Sequence, residues 1–364
     1  MLKKTAFFNK HVEAGGKIVP FAGFEMPIQY KGITQEVNRV RTTVGVFDVA
    51  HMGRVEISGE KALDFINEIS TNDASKLELF QAQYSAMCYP DGGIVDDILV
   101  YKLEGKWWIV INAANKDKDI KWMLEHKPAD VKFVDLSDEI TQLAIQGPKT
   151  EEVLQPLSNI DLSKIGYYRS AHGTIAGIPT FIARTGYTGE DGFELYFPAN
   201  FGTKMWDELM KAGKKFEIEP IGLGARDLLR LEMKYTLYGN DISQHTNPLE
   251  AGLGWITKLD KPKFVGKEVL LEKKSKGLTQ KLIAFTMTGI AIPRQHYKIR
   301  TPNGEEIGEV TSGNFSPSIK KGIGLGYIKL NYTNPGTKIE VDCRGKFEPA
   351  EVVAPPFYKN ASHK

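Results

Sequence analysis

Apolar residues recur at helical spacing over residues 33–45, where Val37, Val40 and Val44 share a face and Gly45 stands at a C-cap position. The text then turns strand-like over 46–58 (VFDVAHMGRVEIS) and helical again over 61–70, with Leu63, Phe65, Ile66 and Ile69 on one face. Between 84 and 112 three apolar runs, YSAMCY, IVDDILVY and WWIVIN, are separated by PDGG and LEGK, which is turn chemistry and predicts an antiparallel meander. A helix with alternating charges is expected over 115–124. Residues 131–197 mix short strands (TQLAIQG, GIPTFIART, GFELYF) with a helix near 148–157, and 202–213 and 222–237 read as helices, the second strongly amphipathic. Lysine-rich text at 258–281, including Lys273-Lys274-Ser275-Lys276-Gly277, is expected to be a solvated turn or linker. Beyond it, strands of five to eight residues alternate with TPNG, NFSPS and TNPG over 281–354, the pattern of a small all-β sandwich or barrel. The order predicts an α+β chain: a mixed α/β region over 1–275 and a β domain over 280–364.

Length and composition change this picture little. At roughly 100–200 residues per domain, 364 residues suggest two or three domains. Apolar (41%) and charged (25%) shares are those of a globular protein with a sizeable core, and a net charge of +2 argues against a chain-wide nucleic-acid footprint. No apolar run reaches the roughly 18–20 residues of a membrane span, and the charged start Met1-Leu2-Lys3-Lys4-Thr5 is not followed by an apolar signal segment. Cys88 and Cys343 lie far apart without metal-ligand spacing, so two reduced thiols and a cytoplasmic location are expected, with no metal site.

Four stretches carry candidate chemistry. GGIVDDILVY (92–101) holds two aspartates inside an otherwise apolar strand, where an unpaired buried carboxylate is costly. Strand alternation points Asp96 and Asp97 to opposite faces, so they are not expected to act on one atom, and a glycosidase pair is excluded. If Val95, Asp97, Leu99 and Tyr101 share a face, Asp97 and Tyr101 are about 13 Å apart and line one long pocket; an edge strand with solvated acids is the alternative. ARTGYTGEDGFELYF (183–197) spaces Gly186, Gly189 and Gly192 three apart, among Tyr187, Glu190, Asp191 and Glu194. That spacing is not a phosphate loop; it is either a hairpin with solvated acids or a tight loop whose Glu194 accepts the N–H groups of a guanidine-like heterocycle. GLGARDLLRLEMKY (222–235) sets Arg226, Arg230 and Lys234 at i, i+4 and i+8. Arg230 is expected on a surface face, paired with Asp227 or Glu232, while Arg226 is free to meet a ligand carboxylate or ring carbonyl. His51 in AHMG is a candidate acid/base, but a lone His beside a strand is more often structural.

Taken together, FAGFEMPIQY (21–30), VGVFDVAHMG (44–53), GGIVDDILVY (92–101), VINAAN (110–115), AIQGP (144–148), RTGYTGEDGFE (184–194), GLGARDLLRLE (222–232), LYGNDI (237–242), FVGKE (264–268) and GEVTSGNFSP (308–317) run in an order that closely resembles the aminomethyltransferase, or T-protein, family of the glycine cleavage system. The resemblance covers nearly the whole chain. It implies a three-domain cloverleaf around a tetrahydrofolate pocket, with a C-terminal β-barrel or jelly-roll-like domain. It implies transfer of a one-carbon unit from the aminomethyl-dihydrolipoyl arm of the H protein to tetrahydrofolate, releasing ammonia and forming 5,10-methylenetetrahydrofolate. Matched to the family's motifs, Asp97 is the key acid, Glu194 the folate-binding carboxylate and Arg226 the arginine of its ARD motif. Met52, Tyr84, Tyr101 and Asn112 fall on pocket-lining positions, and Tyr167 and Tyr187 on aromatic ones. Arg294 in IPRQHY matches a basic position near the lipoyl arm, and PPFYKNASHK lacks an arginine-rich tail, so Tyr358 is the candidate for any tail contact. Rival readings on the same fold are a folate-dependent demethylase and an accessory folate binder; the second is disfavoured because neither cysteine lies in a Lys-Gly-Cys-Tyr signature.

Overall fold

The computed structural model describes residues 2–363; Met1 at the charged start and Lys364 at the end of PPFYKNASHK lie outside them. The predicted meander forms. Strands Ala82–Cys88, Ile94–Leu103 and Lys106–Ile111 pair antiparallel in sequence, and Gly53–Ser58 and Lys132–Asp135 complete a five-stranded sheet. Gly92, at φ +82°, closes the PDGG turn, and a Cβ on Gly93 would stand 2.1 Å from the Gln244 carbonyl, so this turn admits only glycine. Helices Ala62–Ile69 and Lys116–His126 supply Phe65, Ile66 and Trp122, which bury Ile98, Val100, Ile109 and Ile111 of the sheet.

The run 46–58 is not one strand. Asp48 Oδ1 accepts the Ala50 N–H (2.8 Å) and Met52 N donates to Val49 O (3.2 Å), a turn that ends strand Gly45–Asp48 and starts Gly53–Ser58 in a different sheet. Gly45–Asp48 belongs to a six-stranded sheet ordered Ser170–Ile175, Ile178–Ala183, Gly192–Pro198, Ile140–Gln146, Gly45–Asp48 and Glu219–Ile221, the last pair parallel. Phe7, Met205, Trp206 and Leu209 cover one face of it against Val46, Ile145, Phe193 and Leu195. Its other face meets the five-stranded sheet through Tyr101, Trp108, Phe181 and Tyr196.

Two further expectations are corrected. The lysine-rich stretch is not a linker but the helix Lys267–Lys276, closed by Gly277 at φ +86° and anchored by buried Leu270. Nearly all of its surface is solvated, so its sequence carries almost no apolar period. The helix expected over 222–237 spans Leu223–Glu232; Lys234, at φ +61°, turns the chain away. Lys234 therefore lies off the helical face that Arg226 and Arg230 share at i, i+4. Arg230 is fully buried rather than at the surface, and it pairs with Asp227 (2.7 Å) and Asp241 (2.5 Å) and donates to Ser312. Burial of so large a cation is offset by two carboxylates, one of them Asp241, eleven residues on and beyond the end of its own helix.

The C-terminal segment is a closed barrel ordered Gln280–Met287, Lys321–Lys329, Glu306–Ser316, Lys298–Arg300, Lys338–Asp342 and Phe347–Val353, which pairs back to the first strand. Phe285, Ile299, Val310, Ile328 and Val352 fill it, and Leu282, Ile323 and Leu325 pack outward on Leu228, Leu229 and Leu231. The observed class is thus mixed helix and sheet with a terminal barrel, as expected. Among the described residues no helix is long and apolar enough to cross a membrane.

Candidate active site

The strand Ile94–Leu103 brings its aspartates to the seam between the two sheets. Its register with Ala82–Cys88 slips, pairing Met87 with Asp96 but Cys88 with Ile94, so Val95 is an extra residue. The bulge places Val95 in the core with Ile98 and Val100, not on the face of Asp97 and Leu99. Asp96 is fully buried and Asp97 partly accessible. Contrary to the expectation from alternation, both carboxylates reach one group: Asn112 Nδ2 donates to Asp96 Oδ1 (2.9 Å) and Asp97 Oδ1 (2.9 Å). Asn112 follows directly on the neighbouring strand Lys106–Ile111, which sets its amide between them. Tyr84 donates to Asp97 Oδ2 (2.8 Å) from the other flanking strand. Burial, and then the charge of Asp96, push the Asp97 carboxyl up to about 7. Burial and the facing Asp97 raise Tyr84, which keeps it a donor.

Asp97 opens into a chamber of about 120 Å³ lined by the apolar side chains of Met52, Leu99 and Val110 and by Asn112, Tyr187, Glu194 and Arg226. Glu194 lies on the far wall, where Gln142 Nε2 donates to Oε1 (3.0 Å) and Thr185 to Oε2. Each oxygen retains a lone pair for a ligand donor. Burial raises this carboxyl, opposed by Thr185, Arg226 and Gln142. The Arg226 guanidinium lies 4.8 Å from the Tyr187 ring centroid. Tyr101 is not on the pocket surface: it is fully buried, with its hydroxyl on Thr185 (3.2 Å) and Tyr196 (3.3 Å), behind Glu194.

Tyr84, Tyr168, Gly186 and Tyr187 also border an outer cleft of about 560 Å³, with Tyr167, Lys234, Tyr235 and Trp255. Tyr84 stacks on Trp255 (6.0 Å) and Tyr187 on Tyr235 (5.7 Å). Tyr167 sits at this outer rim, apart from the chamber. The loop behind these aromatics is not a turn with solvated acids: Glu190 pairs with Arg41 (2.9 Å) and Asp191 with Arg184 (2.6 Å), all buried or nearly so. Gly189, at φ +81°, packs where a Cβ would meet Met233 Sδ at 2.4 Å. Tyr358 covers Arg41, 4.0 Å from ring centroid to guanidinium, while Ser362 and His363 bond the same loop, so the chain end straps this wall. Arg294 is remote from the chamber, on the barrel, where it donates to Gly313 O (3.3 Å) and Asn314 (3.2 Å).

His51 is buried outside the chamber, edge-on to Phe21 and Phe24, with Nδ1 unpartnered. Burial, with Arg226 next, lowers it to about 4, so it is neutral at pH 7. Gln142, Thr185, Thr236 and Trp255 line or brace the site without having been expected; Gln142 alone left a signal, as a polar residue in the apolar strand TQLAIQ. A more open groove of about 720 Å³ over helix Ile33–Thr42 gathers Lys31, Arg39 and Glu217 and lacks convergent apolar walls. Among the described residues no grouping of three or more His, Cys, Asp or Glu has metal-holding geometry.

Residues 7–261 match the GCVT N-terminal domain family, and residues 280–359 the glycine cleavage T-protein C-terminal barrel domain family. An aminomethyltransferase of Porphyromonas gingivalis is 49% identical over 364 residues, 98% of this chain and 100% of its own. One of Chloroherpeton thalassium is 48% identical over 362 residues, 99% of this chain and 100% of its own. The crystal structure of the glycine cleavage system aminomethyltransferase T from Bartonella henselae aligns over 100% of both chains with a TM-score of 0.93 at 30% identity.

Proposed function

This chain belongs to the aminomethyltransferase, or T-protein, family of the glycine cleavage system, and on that premise we propose that its inner chamber holds the ring of tetrahydrofolate and its outer cleft the tail. The reaction is transfer of the one-carbon unit of an aminomethyl thioether on the lipoyl arm of the H protein to tetrahydrofolate, with release of ammonia, the reduced lipoyl arm and 5,10-methylenetetrahydrofolate. The observation that carries the assignment is the pair of opposed carboxylates: Asp97 and Glu194 face one chamber from two sheets, each held by two donors and each with acceptor capacity left.

The residues fit the group. A flat pterin with a guanidine-like edge matches a carboxylate end and apolar or aromatic walls, which Glu194, Met52, Leu99 and Tyr187 supply. Tetrahydrofolate supplies the nitrogens that accept the one-carbon unit. Asp97, steadied by Tyr84 and Asn112, accepts a hydrogen bond from the reacting nitrogen and stabilises positive charge that develops on the transferred unit. It need not remove a proton itself. Arg226 sits over Tyr187 and offers its remaining N–H groups to a ring carbonyl or carboxylate. Trp255, Tyr235 and Tyr167 line the cleft through which the tail and the lipoyl arm reach the chamber. Free cysteines, Cys88 buried and Cys343 half-buried, accord with a reducing, cytoplasmic setting.

The test is a single-turnover assay with aminomethyl-loaded H protein, with and without tetrahydrofolate. Folate-dependent ammonia release with 5,10-methylenetetrahydrofolate formed is expected. Folate binding without release would overturn the assignment of the reaction.

A further inference from the structure

Behind the two aspartates of the strand stands a third that the reaction does not use. Asp119, on helix Lys116–His126, is fully buried, and neither carboxylate oxygen has a hydrogen-bond partner among the N–H and O–H donors of the protein. A bare carboxylate there would be a costly buried charge. Two groups lie against it, Lys118 Nζ at 3.1 Å from Oδ1 and the carboxyl of Asp96, because this helix docks on the strand there: Asn115, four residues before Asp119, donates to Asp96 (2.7 Å) and Lys118 to the Val95 carbonyl. Asp96 already accepts from Asn112 N (3.0 Å), Asn112 Nδ2 (2.9 Å) and Asn115 Nδ2 (2.7 Å). Three N–H donors make Asp96 the acceptor of the pair and leave Asp119 to carry the proton.

We propose that Asp119 is a positioning residue of the active site: kept protonated, it donates an O–H···O bond to Asp96 and thereby locks the Asn112 amide that presents Asp97 to the chamber. The chain of contacts runs from Asp119 to Asp96, from Asp96 to Asn112 and from Asn112 to Asp97. The titratable groups facing Asp119 are Asp96 from the strand, Tyr89 from the turn before it, Tyr238 from the segment after the Arg226 helix and Lys118 from its own helix. Lys118 Nζ is 3.1 Å from Oδ1 but bonds the Val95 carbonyl and lies 4.6 Å from the Tyr238 ring centroid, so it makes no aligned bond to Asp119. Burial, followed by the Asp96 charge, pushes the Asp119 carboxyl up to about 10, against the pull of Lys118. A neutral Asp119 also spares Asp96 a second buried negative charge beside it.

The inference rests on Asp97 acting at the reacting centre, so one readout is chosen that does not. Infrared spectra of the full chain at about pH 8, where ordinary carboxyls are ionised, are expected to show a protonated-carboxyl C=O band that is lost in Asp119→Asn. Absence of that difference would overturn the proposal whatever Asp97 does. The second readout is the pH profile of single-turnover kcat. Asp119→Ala removes a donor to the buried anion pair, so the acid limb is expected to move up by about one pH unit, the size of one lost hydrogen bond to a charged group. Asp119→Asn keeps a neutral N–H donor and is expected to hold the limb in place. An unmoved limb in Asp119→Ala, or an equal shift in Asp119→Asn, would overturn the proposal. If Asp119→Ala does not fold, the infrared band and the Asp119→Asn profile still decide it.

Discussion

Replacing Asp97 by Asn separates what this residue does for the reaction from what it costs the fold. The amide is isosteric. Its oxygen still accepts from Asn112 Nδ2, and its NH₂ faces the Tyr84 hydroxyl, which turns to accept while remaining beside Thr236 Oγ1 (3.3 Å). No buried group loses its partner, so the variant folds. What disappears is a negative charge facing the chamber. A unit charge about 4 Å from a developing cation contributes roughly 4 kcal/mol at an effective dielectric constant of about 20. Turnover is therefore expected to fall by roughly two to three orders of magnitude, with folate affinity changing little. Stability moves the other way. The carboxyl rises from 3.8 to about 7 on folding, so the folded state binds the extra proton, and ionisation costs stability as pH climbs from about 4 to about 7, after which the loss is complete. That shift is roughly 4 kcal/mol at most, and about half after discounting for the side chain's partial access to solvent. Melting temperatures of wild type and Asp97→Asn are thus expected to agree near about pH 4 and to diverge by a few degrees above about pH 7, with the inactive variant the more stable. A pH-independent difference in melting temperature, or wild-type turnover in Asp97→Asn, would refute the reasoning.

Three further outcomes follow from the same geometry. The acid limb of wild-type turnover should lie near the raised Asp97 value of about 7, with activity gained as pH rises through it; Tyr84→Phe, which removes a donor to the ionised form, should move that limb upward by roughly one unit. Glu194→Gln should leave melting unchanged within about 1 kcal/mol yet weaken tetrahydrofolate binding by roughly tenfold to a hundredfold in a titration, because the end wall then offers one acceptor and one misplaced donor. Arg230→Met should destabilise the chain by about 3–5 kcal/mol in urea unfolding, because Asp241 is left buried without its cation.

The sequence made the site legible where the chemistry is crowded into one strand or loop. Asp97, Glu194, Asn112 and Arg226 all lie within quoted motifs, and all four face the chamber. It was least legible where a side chain's surroundings come from elsewhere in the chain. Alternation alone assigned Asp96 and Asp97 to unrelated faces, but the extra residue Val95 and the Asn112 amide from the next strand join them. The acids of GYTGEDG read as solvated because Arg41, which neutralises Glu190, is 149 residues away. Arg230 read as a surface residue for the same reason, its partner Asp241 lying beyond the end of its helix. The lysine-rich helix failed differently: one buried leucine is too little to register as a period. The barrel, by contrast, announced itself, since its turns are local and its strands short.

The hydroxyl of Tyr101 has a consequence for how this architecture tolerates change. Tyr101 stands four residues after Asp97 on the same strand, and its hydroxyl touches Thr185 and Tyr196, the first a donor to Glu194 and the second its neighbour but one. The strand therefore works as a gauge: one end carries Asp97, the other bears on the support of the opposite carboxylate, Glu194. Loops at the outer cleft are free to lengthen or drift without altering that gauge. Sequence divergence that leaves the strand and its hydroxyl in place can restyle the entrance for a different carrier arm while preserving the separation between the two carboxylates.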